Sequence, residues 1–200
     1  MADRGTVTSE ELISYASTYP GRIIPAVRIK GEGYIENGER YYQRLKEQMD
    51  MEGFGAMAEV PVYHAPKGDR APEILVYPDD ERVQAPLEYA IEKEWPFVVH
   101  IEFAAVGSLR DEFMAKFKAL LVKHPEYPFV LNHMGQLDCI SVCQLIEAHP
   151  NIYFITAASN PIVVKKSTEY RAYPINIDSI SICHSLTPYT TCTMEDKAQA

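Results

Sequence analysis

The segment Phe97-Val98-Val99-His100-Ile101-Glu102-Phe103 alternates with a period of two. In an extended chain, successive side chains point to opposite faces. Val98, His100 and Glu102 therefore share one face, and Phe97, Val99, Ile101 and Phe103 the other. Strands of a parallel α/β sheet are usually apolar on both faces. A His and a Glu buried on one face need a partner. A metal ion or a hydrogen-bond network would supply one, and a purely structural His–Glu pair in the core is the competing reading.

Phe129-Val130-Leu131-Asn132-His133-Met134-Gly135 repeats the arrangement, with His133 at the strand end just before a Gly turn. In β/α barrels the carboxyl ends of the strands carry the active site. Two successive parallel strands that each end in His place two imidazoles on one rim. Imidazole nitrogen suits zinc, iron, nickel and manganese. Glu59 ends the run Gly55-Ala56-Met57-Ala58-Glu59-Val60, where it is a metal ligand, a carboxylate orienting a ligand His, or an ordinary ion-pair partner. Glu102 carries the same alternatives as ligand or orienting group. His64, in the loop beyond, faces either substrate or solvent.

Other signals fail. Gly31-Glu32-Gly33-Tyr34-Ile35-Glu36 starts like a dinucleotide fingerprint but lacks its third Gly. No phosphate-binding loop and no nucleophile elbow occurs. His124 and His149 each precede a proline at a helix end, where they are expected to cap carbonyls. Cys139 and Cys143, at i and i+4 on one helix, are expected to be buried apolar residues.

The elements that would position these residues alternate between short apolar runs and helical stretches, the mark of an α/β fold with a parallel sheet. Thr8 and Glu11 fit a capping box that opens a first helix. Strands are predicted over residues 23–29, 53–60, 97–103, 129–133 and 152–157, with Pro61 ending the second. Helices are predicted over 41–51, over 86–94 with Pro86 in the first turn, from Ser108 to about His124 with Asp111 in capping-box position, and from a cap at Asp138 to His149. Residues 64–80 form a long loop, functional or mobile. After about Thr168 the rhythm stops. Residues 169–200 are expected to be a divergent, poorly ordered tail.

The chain has 200 residues, 46% of them hydrophobic, enough to bury a core without disulfides or structural metal. A formal net charge of -9 opposes polyanion binding, which excludes nucleic acid and anionic membrane as expected partners and leaves a small-molecule substrate or a metal cation. The N-terminus lacks a signal-like apolar region, and no apolar run reaches the ~20 residues of a membrane span. The four cysteines form no CxxC pair, so a reducing, cytoplasmic setting is expected.

Three segments together resemble the amidohydrolase-related family of metal-dependent hydrolases. They are Gly55-Ala-Met-Ala-Glu59, Trp95-Pro-Phe-Val-Val-His100-Ile-Glu-Phe and Phe129-Val-Leu-Asn-His133-Met-Gly-Gln. Leu145-Ile-Glu-Ala-His-Pro-Asn-Ile-Tyr-Phe-Ile-Thr156 and Ser159-Asn160-Pro161 add to it, and the resemblance spans roughly residues 20–168. It implies a (β/α)8 barrel with a divalent metal at its C-terminal face, zinc first, with manganese or iron as alternatives. His100 matches the ligand at the end of family strand five and His133 that of strand six. Glu59 matches the end of strand four, so the strands here correspond to family strands three to seven.

Two family features are missing: the His-x-His pair of strand one and the Asp of strand eight. A (β/α)8 barrel typically needs about 250 residues. The expectation is thus a partial, truncated barrel over residues 1–168. Its chemistry is metal-dependent hydrolysis, or the related non-oxidative decarboxylation, with this chain alone impaired. The alternatives are an inactive fragment or a self-associating chain, since open sheet edges favour a homo-oligomer. A complete open α/β binding protein is a third reading.

Overall fold

The computed structural model describes residues 7–31, 33–68 and 71–155. The expectations for residues 156–200, including the tail from 169, Ser159-Asn160-Pro161 and the end of the last predicted strand, lie outside the described residues.

Helix α1 (Ser9–Thr18) opens on the predicted capping box: the Thr8 amide donates to Glu11 Oε2 at 2.8 Å, and the Glu11 amide to Thr8 Oγ1 at 3.2 Å. Strand β1 (Ala26–Val27) is shorter than predicted. Just past it the side-chain amide of Gln48 takes the place of a neighbouring strand. The Arg28 N–H donates to Gln48 Oε1 at 2.8 Å, and Gln48 Nε2 donates to the Arg28 carbonyl at 3.1 Å. Gln48 belongs to α2 (Glu39–Met49), whose buried face also carries Tyr41, Leu45 and Met49.

Strand β2 (Ala56–His64) does not stop at Pro61 but runs three residues beyond it. Proline is tolerated within a sheet beside a bulge, where no ladder donor is needed. The register against β4 (Phe97–Ile101) shifts there, between Pro61 and Tyr63. The Pro61 carbonyl is still satisfied, by the Tyr34 hydroxyl at 2.6 Å. The long 64–80 loop contains a short strand, β3 (Ile74–Leu75), antiparallel to the end of β2.

Helix α3 (Glu81–Glu92) begins five residues earlier than predicted, capped by Asp80, so Pro86 lies inside it. An internal proline cannot donate to the carbonyl four residues back. That carbonyl belongs to Arg82, and the Tyr41 hydroxyl donates to it instead at 2.8 Å. Helix α4 (Arg110–Lys123) starts after a 3-10 turn at Gly107–Leu109, without the predicted side-chain cap. Strand β5 (Phe129–Leu131), α5 (Cys139–Ala148) and β6 (Ile152–Phe154) follow, with Asp138 capping α5 through the Ser141 amide at 2.8 Å.

The sheet runs β1-β2-β4-β5-β6 with every one of these pairings parallel. Sequence neighbours among the parallel strands are thus neighbours in space, and a helix lies in each connection. Crossovers of one hand, always stepping in one direction, keep their helices on one face of the sheet. The α/β class, the five parallel strands and the crossover helices agree with the sequence reading, and the winding is consistent with a section of a barrel wall.

The helix-side face is the core. Phe97, Val99, Ile101, Phe129 and Leu131 pack there with Phe113, Phe117, Leu120 and Leu121 of α4. Val98 and Val130, on the other face, are only partly buried. No helix among the described residues is long and apolar enough to cross a membrane.

Candidate metal centre

Three adjacent parallel strands deliver polar side chains to one place on the face away from the helices. Strand β4 contributes His100 and, one step past its end, Glu102. Strand β5 leads into His133. Strand β2 contributes Glu59 and His64. Glu59 gets there through a bulge: Met57 pairs with Phe97 and Val60 with Val99, three steps on β2 against two on β4. An extra residue kinks a strand and re-aims its side chain. Glu59 is accordingly 43% exposed within an otherwise largely buried strand and reaches across to His100.

His133 is aimed by a different device. From His133 to Gln136 four successive residues have positive φ, with His133 at 53°. L-residues visit this region reluctantly and seldom in runs. The turn is held from both sides: Phe103 N–H donates to the Gly135 carbonyl at 2.9 Å, and Met134 N–H to the Ile155 carbonyl at 3.0 Å. Gly135 is required on two counts, a φ of +62° and a Cβ that would meet Leu131 Cδ2 at 2.8 Å. Asn132 closes the local geometry. Its Oδ1 accepts from the His133 amide at 3.0 Å, its Nδ2 donates to Glu59 Oε1, and Nδ2 lies 3.4 Å from His133 Nε2.

His100 is the hub. On one side its Nδ1 is hydrogen-bonded to Glu59 Oε1 at 2.8 Å, and His133 Nε2 lies 3.8 Å from the same oxygen. On the other side its Nε2 is 3.4 Å from Glu102 Oε1. That approach is close enough for an ionic contact, but its angles do not make a hydrogen bond, and Nε2 is buried without a hydrogen-bond partner. The His64 ring lies beside it, centroids 5.3 Å apart, and His64 Nδ1 is likewise buried without a partner. Glu102 Oε2 accepts the Ala65 N–H at 2.7 Å, while Lys67 Nζ, on a half-exposed side chain, stands 3.7 Å from Oε1.

The electrostatics hold both carboxylates ionised and keep His64 neutral. Burial works to raise the Glu59 carboxyl, but the hydrogen bond and charge of His100, then Asn132 and His133, outweigh it and hold it at about 2. Burial also opposes ionisation of Glu102, yet the Ala65 amide, His64, His100 and Lys67 bring it below the usual carboxylate range. Burial, reinforced by the Lys67 charge, pushes His64 below the ordinary histidine value, so it is neutral at pH 7. Ionised carboxylates and a neutral imidazole are the forms that bind cations. Two overlapping groups result, each with donor atoms within 4.8 Å of one another: Glu59, His100 and His133, and the fully buried His64, His100 and Glu102.

The structure brings together all five residues singled out in the sequence. His64 differs in placement: it ends β2 and is 7% exposed, packed against His100 rather than standing in a loop. Asn132 and Lys67 escaped the sequence reading. Asn132 carried a usable signal, a polar amide at a strand end beside a candidate ligand; the Ala65 amide, being backbone, carried none. Two secondary expectations are corrected. Cys139 is exposed and Cys143 partly exposed, because α5 turns its Val142–Leu145 side to the core. His124 packs against Phe129 with Nε2 buried and unpartnered instead of capping a carbonyl. A concavity of about 340 Å³ lined by Ile91, Glu94, Glu126, Tyr127 and Pro128 opens at the opposite, N-terminal ends of β4 and β5, away from this chemistry. Comparison with protein-family models, with curated proteins and with solved structures finds nothing that matches this chain.

Proposed function

We propose that this chain is a metal-dependent hydrolase of the amidohydrolase type, built on part of a (β/α)8 barrel, with non-oxidative decarboxylation as the related chemistry at the same centre. One observation carries the reading: His64, His100, Glu102, His133 and Glu59 converge where three parallel strands end. Strand carboxyl ends are where β/α barrels do their chemistry. The donor set fits a divalent cation, since two buried imidazole nitrogens lack partners and both carboxylates are held ionised. Mixed imidazole and carboxylate donors accept zinc first, and manganese or iron as well.

A cation held by His100 with its neighbours would polarise a carbonyl oxygen and acidify a coordinated water. The residues around it divide by exposure. His64, His100 and Glu102 are buried, whereas His133 and Glu59 have 23% and 43% of their side chains exposed. His133 is thus the imidazole that can exchange a proton with a bound small molecule. Glu59, ionised, lies 3.8 Å from His133 Nε2 and fixes where that ring can stand. Asn132 holds Glu59 in place while this happens.

The test is reconstitution. Chelator-stripped protein is reloaded with zinc and assayed on 4-nitrophenyl acetate and a panel of cyclic amides, with carbon dioxide release followed on aromatic carboxylic acids. Slow zinc-dependent turnover, impaired as expected for part of a barrel, that disappears in His100→Ala and His133→Ala is the expected result. Stoichiometric zinc without turnover of any of them would favour the non-catalytic alternative. No zinc uptake would remove the metal-centre reading altogether.

A further inference from the structure

We propose that the metal sits on the buried side of His100, bound by His64 Nδ1, His100 Nε2 and the Glu102 carboxylate, and that Glu59 orients His100 from the other side without binding the metal. This rests on the metal-centre reading above and deepens it, because His133 then becomes a substrate-facing residue rather than a ligand.

Distances separate the two sides. Two ligands about 2.0–2.1 Å from a tetrahedral zinc lie roughly 3.3 Å apart. His100 Nε2 and Glu102 Oε1 are 3.4 Å apart, a spacing suited to two ligands and poor for a hydrogen bond. His100 Nδ1 and Glu59 Oε1 are 2.8 Å apart, a spacing that calls for a proton between them. A carboxylate offers only lone pairs, so Nδ1 must be the donor. In a neutral imidazole the lone pair is then on Nε2. It faces a second carboxylate oxygen, with the His64 ring beside it, and both His100 Nε2 and His64 Nδ1 have no partner although their residues are 4% and 7% exposed. A buried polar atom without a partner is uncommon and calls for an explanation. Facing lone pairs need a cation.

The surroundings match what metal-bound side chains require. A ligand histidine ordinarily donates its other ring N–H to a carboxylate, which fixes tautomer and ring orientation, and ligand carboxylates are themselves hydrogen-bonded. Glu59 does the first for His100, and the Ala65 amide the second for Glu102. Asn132 in turn donates to Glu59. Lys67 pairs with Glu102 across 3.7 Å, and its 53% exposed side chain can swing into solvent when an ion enters.

The experiment is a competition titration of the chelator-stripped full chain with zinc against a fluorescent chelator. Wild type is expected to bind near one zinc per chain. His64→Ala and Glu102→Gln should weaken binding beyond the roughly 10–100-fold that loss of an orienting partner costs, and Glu59→Ala should fall within that range, partly restored by Glu59→Gln. His133→Ala should weaken binding no more than Glu59→Ala does, since the His133 ring meets His100 edge-on, centroids 5.0 Å apart. Because a buried substitution can unfold the chain, the wild type is also loaded with cadmium-113, whose coupling to labelled histidine nitrogens should reach His64 and His100 but not His133. Coupling to His133, or loss of binding in His133→Ala with retention in His64→Ala, overturns the placement and leaves the metal-centre reading standing. No bound zinc in wild type overturns both.

Discussion

Glu59 Oε1 lies 2.8 Å from His100 Nδ1, joining residues forty-one positions apart on adjacent strands. The contact exists because β2 bulges between Met57 and Val60 and turns a carboxylate toward β4 where regular pairing would have faced it elsewhere. It holds His100 Nδ1 against a carboxylate and leaves Nε2 facing the buried Glu102.

That contact makes stability depend on pH in a stated direction. The Glu59 carboxyl is held at about 2, below its ordinary value of 4.5. A carboxyl depressed by folding adds stability above its unfolded value and loses it as pH falls through the folded one. Full conversion of the shift would overstate the effect for a side chain 43% exposed, so about 1 kcal/mol is expected at pH 6 after allowance for solvent screening. Urea unfolding of metal-free wild type and Glu59→Gln should show this gap shrinking between about pH 4.5 and 2. A gap that stays constant down to pH 2 would refute the assignment.

The Asp80–Arg82 pair ties α3 to the loop after β1. Asp80 caps the helix through the Arg82 amide at 3.0 Å and grips the Arg82 guanidinium with both oxygens at 2.8 Å. Arg82 then donates to the carbonyl of Ile35 at 2.9 Å. Replacing Asp80 by Ala removes the cap and loosens the fork, and should cost about 1–2 kcal/mol. Asp80→Asn keeps a capping oxygen and should recover part of this in the same urea titration. Equal losses in the two variants would mean that the cap contributes nothing.

Asn151 does comparable work at the other end of the molecule. Its Nδ2 donates to the carbonyls of Leu121, His124 and Tyr127 at 3.1, 2.9 and 3.3 Å, closing the end of α4 against the turn before β5. Asn151→Ala leaves buried carbonyls unsatisfied and should cost about 1–3 kcal/mol. Amide exchange should quicken locally at the end of α4. A variant as stable as wild type would indicate that water replaces the amide at no cost.

Much of this architecture was legible in residue order, and the parts that were not have physical reasons. Alternation from Phe97 to Phe103 fixes both faces of β4, because period two is a local property, and the Thr8–Glu11 and Asp138 caps are equally local. Strand β2 was misread at Pro61 because proline's lost donor matters only where the ladder needs it, and a bulge is set by the partner strand. Pro86 was misplaced at a helix start because the hydroxyl that satisfies the Arg82 carbonyl comes from Tyr41, far away in sequence. The histidines and carboxylates could be picked out by type, but which side of His100 each one occupies depends on strand register and on a left-handed turn that no pattern of residue types announces.

Gly135 stands at φ +62°, and a Cβ there would come 2.8 Å from Leu131 Cδ2 and 3.0 Å from Phe103 Cδ2, both in well-packed side chains. Gly135→Ala therefore meets backbone strain and overpacking together, and should cost about 1–3 kcal/mol, a fall of several degrees in melting temperature. Relieving the strain shifts the turn at 133–136, which carries His133 away from Glu59. If the zinc lies on the buried side of His100, zinc affinity should survive this substitution while any zinc-dependent turnover falls. Retention of both full stability and full turnover would show that the turn does not need glycine, and a joint loss of zinc and turnover would move His133 back among the ligands.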